Sequence, residues 1–159
     1  MSVTPATAAS GSAAADISRA TIEAAATRIA PFIIETPLVE SPRLNDKLGI
    51  RLLVKAECLQ HTGSFKLRGA SNAVWSLDDT VKHVVAFSSG NHAQGVARAA
   101  ASRGLQATIV MPKDSPAGKI EGTKAYGGTV ILYDRYSESR EEIGADLAAR
   151  KQAHPVSYT

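Results

Sequence analysis

The stretch HVVAFSSGNHAQG, residues 83–95, decides the fold. After His83 the four residues Val84–Phe87 are apolar without polar alternation, the mark of a short strand covered on both faces. Ser88-Ser-Gly-Asn91 then makes a glycine-containing turn, and the chain changes to a helical pattern that closes at Gly104, where a helix C-cap favours glycine. Working outward, the same unit recurs. Residues 52–56 (LLVKA), 107–111 (ATIVM) and 129–133 (TVILY) read as strands. Helices are expected over residues 64–77, 91–103, 116–126 and 139–152, the third followed by Gly127 and Gly128. Ser139 and Glu142 stand in capping-box spacing at the start of the last helix, with Ser137 as an alternative cap. Upstream, Ile22, Ala26 and Ile29 form one apolar stripe over residues 16–30, ended by Pro31, and Pro37 and Pro42 punctuate an irregular connection. Five-residue strands alternating with helices imply an α/β fold: an open, twisted parallel sheet with helices on both faces.

Composition narrows the class without choosing a function. The chain has 159 residues, 44% hydrophobic and 21% charged, as in a soluble globular protein with one core. No apolar run reaches membrane-spanning length, and the start MSVTPATAASGSAAAD lacks the basic and apolar regions of a secretory signal. Residues 1–15, small and Ala-rich, read as a disordered arm. The single cysteine, Cys58, excludes an internal disulfide and suits a reducing compartment, so a cytoplasmic location is expected. Cys58 itself reads as a small packing residue and Trp75 as core. The net charge of +3 is spread out, with no basic run interleaved with aromatics, so neither a nucleic-acid nor a membrane partner is indicated. His61, His83 and His154 have no metal-ligand spacing, and no metal is expected.

In parallel sheets, ligands sit at the carboxyl ends of strands. Two turns there are rich in chemistry, while those over residues 112–115 and 134–137 are plainer. The first turn is H61-T-G-S-F-K-L-R-G-A70. Gly63 permits a tight turn, Ser64 suits an N-cap, and Lys66 falls in the first helical turn. The helix dipole there disfavours an ammonium, and a neutral amine is what Schiff-base chemistry with an aldehyde needs. Phe65 offers a flat apolar surface beside it. The plain alternative is a lysine extended into solvent. The second turn is S88-S-G-N-H-A-Q-G95. Backbone N–H groups at a helix start, joined by Ser88, Ser89, Asn91 and His92, make an anion site suited to a carboxylate or phosphate. A Walker loop is excluded because Val96-Ala97 follow Gly95, and G-x-G-x-x-G is absent. A well-capped helix start without ligand is the competing reading.

Together, T62-G-S-F-K-L-R-G-A70 and S88-S-G-N-H-A-Q-G95 resemble the fold-type-II pyridoxal-phosphate (PLP) enzymes. The nearest group is the serine/threonine dehydratases (threonine ammonia-lyases) and their relatives, including serine racemase. T36-P-L, M111-P and K124-A-Y-G127 extend the match over residues 16–149, and Leu67 stands where threonine and cysteine synthases usually carry an acidic residue. The resemblance implies PLP as cofactor, a small amino-acid substrate, and elimination from L-threonine or L-serine to a 2-oxo acid and ammonia; racemisation or another hydroxy-amino-acid dehydration is the alternative. Lys66 would bond the cofactor and move the Cα proton. Phe65 would lie against the ring and Asn91 would reach its 3′-oxygen. Ser88, Ser89, Asn91 and His92 would hold the substrate carboxylate, with Ser89 as the racemase opposite-face proton donor, and Arg140 would contact substrate.

By the same resemblance, residues 16–50 belong to a larger, incomplete domain, residues 51–152 form the small α/β domain, and 153–159 are a truncated end before another strand. The N-terminal helix is expected to have little to pack against. The family's phosphate-holding glycine run and pyridine-facing residue are not found in this sequence. The isolated chain is therefore expected to bind PLP weakly and to have little activity. A non-catalytic interaction module is the rival of another class, and a homo-oligomer stays open.

Overall fold

Ser18 opens the first helix by accepting from the Thr21 N–H, and the Thr21 hydroxyl answers the Ser18 N–H, a reciprocal cap. The structure, a computed structural model, describes residues 17–151 and 153–156. The arm expected over residues 1–15 and positions 16, 152 and 157–159 lie outside the described residues. The order is α1 (Arg19–Ile29), β1 (Leu38–Glu40), α2 (Pro42–Leu48), β2 (Leu53–Lys55), α3 (Lys66–Trp75), β3 (His83–Phe87), α4 (Asn91–Ser102), β4 (Gln106–Pro112), α5 (Ala117–Ala125), β5 (Thr129–Tyr133), α6 (Arg140–Lys151) and β6 (His154–Pro155), with 3₁₀ turns at Ala30–Phe32 and Glu57–Leu59.

Four strands form one parallel sheet in the order β5-β4-β3-β6. Side chains of successive strand residues point to opposite faces, and both faces of β3 are apolar. Val84 and Ala86, with Ile109 and Met111 of β4, pack under α3, α4 and α5. Val85 and Val110, with Tyr133 of β5, pack under Leu147 of α6. Each fully buried side chain of this size contributes roughly 1.5–3 kcal/mol of transfer free energy. The α/β class with helices on both faces is as expected.

Five details differ from expectation. The strand around residues 52–56 is not in the parallel sheet: β2 pairs antiparallel with β1, Val39 opposite Val54, in a separate ribbon whose apolar residues are exposed. Residues 154–155 do not precede the next strand but form it, with Val84 opposite His154 and the Val156 N–H donating to the Val85 carbonyl at 2.8 Å. The α1 stripe is only part of a docking face: Ile29 is buried, whereas Ile22 is exposed. That helix nevertheless has a partner: Arg28 donates to Asn72 on α3, and Phe32, on the 3₁₀ turn that follows α1, stacks on Trp75 at 4.0 Å between centroids. Cys58, expected to pack, is exposed on its 3₁₀ turn.

Candidate active site

The turn before α3 is built from backbone constraints. Gly63 takes φ +68°, in the left-handed region, and its N–H donates to the Gln60 carbonyl at 2.7 Å. Gln60 is buried and clamps the extended chain at Ile34, donating to its carbonyl and accepting from its N–H, each at 2.9 Å. From the other side the Tyr126 hydroxyl, just past α5, donates to the His61 carbonyl at 2.6 Å. Arg68 on α3 donates through Nε and Nη2 to both oxygens of Glu57, at 2.9 and 2.7 Å, and Glu57 also accepts from the Thr36 hydroxyl. The guanidinium holds the Glu57 carboxyl below the usual carboxylate range. Residues 34–36, the 3₁₀ turn and α3 are thereby tied together.

Lys66 is the first residue of α3 and half-buried, its amine 5.2 Å from the centroid of the exposed Phe65 ring. Ser64 does not cap this helix. Phe65 holds the N-cap position, and the buried hydroxyls of Ser64 and Thr62 have no hydrogen-bond partner among the described residues. Buried hydroxyls normally find one, so both keep unused hydrogen-bonding capacity within the turn that carries Lys66.

The second turn meets the first at Gly95. A Cβ there would lie 3.2 Å from the Ala70 Cβ and 3.3 Å from the Lys66 carbonyl oxygen, so α4 crosses directly behind the Lys66 backbone. A Cβ there would be tight against both, so glycine suits that approach. The Ser88 N–H still bonds the sheet, at 3.2 Å to Val110, and the Ser88 hydroxyl accepts from the Gly90 N–H at 3.3 Å. Gly90 is the N-cap, and Asn91 starts α4 with an exposed side chain. His92 is buried; burial pushes its imidazole below the ordinary value, the Val156 backbone opposes that, and the positive charge of Lys66 adds to it. Lys66 and His92 thus share one electrostatic environment.

Ser88, Ser89 and Arg140 come together elsewhere in the same region. With Phe87, Tyr133 and Arg135 they line a cleft of ≈ 220 Å³ at the carboxyl ends of β3, β4 and β5. Lys66, Phe65, Asn91 and His92 are not in its lining. Arg140 is the exposed first residue of α6 and donates to Glu141 at 2.7 Å, and Arg135 donates to Asp114 at 2.8 Å. Among the described residues, no group of His, Cys, Asp and Glu could hold a metal ion, and no helix is long and apolar enough to cross a membrane.

Sequence reasoning passed over Lys119. Its amine donates to Asn91 Oδ1 at 2.5 Å and to Gln94 Oε1 at 3.4 Å. The available signal was topological: Lys119 lies in the first turn of α5, after β4, at the same end of the sheet as Asn91. The turn leading to it looked plain because the relevant group lies one helical turn beyond.

The model of a family described as "Pyridoxal-phosphate dependent enzyme" matches residues 29–158. The chain is 50% identical over 127 residues to an L-threo-3-hydroxyaspartate ammonia-lyase of Saccharomyces cerevisiae, covering 79% of this chain and 39% of the relative. Among solved structures it resembles a maize serine racemase, with TM-score 0.82 and 43% identity over 87% of this chain and 43% of that one. A threonine deaminase from T.th. gives TM-score 0.79 and 44% identity, over 89% of this chain and 45% of that one. The chain spans less than half the length of each of these relatives.

Proposed function

The chain belongs to the pyridoxal-phosphate dependent enzyme family, and on that footing we propose that its site serves elimination from a β-hydroxy amino acid, L-threonine or L-serine, to a 2-oxo acid and ammonia. The observation that carries this reading is Lys66 in the first turn of α3, its backbone packed against α4 at Gly95, in the helix that the Ser-Ser-Gly-Asn-His turn opens. The residues present fit the cofactor: an amine for its aldehyde, the Phe65 ring for its flat face, and two buried hydroxyls with unused hydrogen-bonding capacity. When bound, the cofactor supplies an electron sink for the charge left at Cα. Lys66 would hold the cofactor through its aldehyde and would move the Cα proton. Asn91 would donate to the ring oxygen. Ser88, Ser89, Asn91, His92 and the N–H groups of the α4 start hold the substrate carboxylate, an anion at a helix N-terminus. In this reading Ser89 is the proton donor for the opposite face should the reaction be racemisation, and Arg140 is a substrate contact.

A second reading concerns the substrate. Two guanidiniums, Arg135 and Arg140, enter the cleft that holds Ser88 and Ser89. A hydroxy amino acid with a side-chain carboxylate, the class named for the yeast relative, would bind there by replacing Glu141 or Asp114 as the partner of these guanidiniums.

The test is borohydride trapping of PLP on the full chain, followed by peptide mass mapping. Modification at Lys66, abolished in Lys66→Ala, is expected. Modification spread over surface lysines would sink the reading and favour a non-catalytic interaction module. Release of 2-oxo acid from L-threonine, L-serine and 3-hydroxyaspartate, assayed in parallel, separates the substrate classes. A preference for 3-hydroxyaspartate that disappears in Arg140→Met supports the second reading.

A further inference from the structure

We propose that Lys119 is a positioning residue that fixes the side-chain amide of Asn91 with its N–H₂ group facing the cofactor; this rests on the reading of Asn91 as a cofactor contact. Asn91 carries one acceptor oxygen and one donor nitrogen at the end of a rotatable bond, so its two orientations offer opposite chemistry to a ligand. An ammonium has only donors. At 2.5 Å from Asn91 Oδ1, Lys119 therefore engages the oxygen and leaves the amide nitrogen as the group Asn91 presents elsewhere. A negatively charged ring oxygen requires that orientation.

The lysine is itself held. Its stem rises from the first turn of α5, and its amine also reaches Gln94 Oε1 at 3.4 Å, one turn further along α4. Gln94 is buried, and its amide lies so closely against Gly122 that a Cβ there would collide with Nε2. Lys119 thus bridges the first turn of α4 to α5. It brings a positive charge one residue removed from the ligand, and a charge-assisted bond is roughly twice as strong as a neutral one.

The prediction separates Lys119→Met from Lys119→Arg. In ¹⁵N-labelled full chain without cofactor, the Asn91 side-chain amide resonances are expected to shift in the Met variant and to stay near wild type in the Arg variant. With PLP added, the Met variant is expected to lose about fivefold to tenfold in affinity, followed by absorbance, with the Arg variant within about twofold of wild type. Far-UV circular dichroism is expected to superimpose for all three, so that a shift at Asn91 reads the local contact and not loss of the fold. Unchanged Asn91 resonances, or equal PLP titrations in wild type and Lys119→Met, would overturn the proposal and leave the reading of Lys66 standing. Absence of Lys66-dependent binding in wild type would instead overturn that reading, and this inference with it.

Discussion

Lys66 sits where two helices cross, and the residue that permits the crossing is Gly95. A Cβ at that position would lie 3.3 Å from the Lys66 carbonyl oxygen, tighter than ordinary contact. A β-branched residue there meets backbone on one side and the Ala70 methyl on the other, neither of which can rotate away. Gly95→Val is therefore expected to destabilise the fold by roughly 1–3 kcal/mol, the range of overpacked cores, and to reduce PLP trapping at Lys66. Chemical denaturation and the mass map together check it; unchanged stability would contradict the crossing. Gly122 poses the opposite case. An added methyl collides only with the end of the Gln94 side chain, which can swing aside. Gly122→Ala should cost little stability while shifting the Asn91 amide resonances through Lys119. At this scale the sequence was informative about residue type and silent about partners. The amine, the aromatic and the Ser-Ser-Gly-Asn-His run were visible because their chemistry exceeds what capping needs. Lys119 was not, because a lysine on a helix normally points to water.

Among the elements, α6 covers the face of the sheet opposite α3, α4 and α5, and its start is set by one hydroxyl. Ser139 accepts from the Glu142 N–H at 3.2 Å, so of the two serines read as possible caps it is Ser139 that performs the role. Ser139→Ala is expected to cost about 1 kcal/mol, measured by denaturant unfolding, and Ser137→Ala close to none. Helix boundaries and the β3, β4 and β5 strands were readable because local hydrophobic period and glycine caps encode them. The ribbon was not. Residues 52–56 alternate much as a sheet strand does, and only the antiparallel pairing of Val54 with Val39 shows that they lie outside the parallel sheet. Nor was β6: two residues carry no periodicity, and His154–Pro155 becomes a strand through its pairing with Val84 and Val85.

For the molecule as a whole, acid should be destabilising in two windows. The His92 imidazole lies below its ordinary value in the folded chain, through burial first. His61 is lowered likewise, by desolvation and then by Arg98. Between the folded value and the unfolded one, about 6.5, the unfolded chain binds protons that the folded chain does not. Stability is thus complete above about pH 6.5 and declines as pH falls through that window. Glu57, held down by Arg68, adds a loss at lower pH, when its carboxylate is protonated. Urea midpoints between pH 8 and 5 check the upper window. His92→Asn is expected to flatten the slope in part, since His61 remains, and a slope identical to wild type would contradict the assignment.

By itself the sequence determined the class of fold and the kind of chemistry. A run of buried strands separated by capped helices has few ways to hide its apolar residues, and a parallel sheet flanked by helices is the one its periods allow. Two glycine-containing turns after apolar runs marked where a ligand would sit. What only the tertiary structure decided was which groups meet. It brought the Lys66 turn against α4 at Gly95, placed Lys119 on Asn91, gathered Arg135 and Arg140 with Ser88 and Ser89, and left Cys58 outside. The physical reason is range. Helix and strand periods act over a few residues, whereas these contacts join segments tens of residues apart, and each depends on the packing of elements whose surfaces the local pattern does not distinguish.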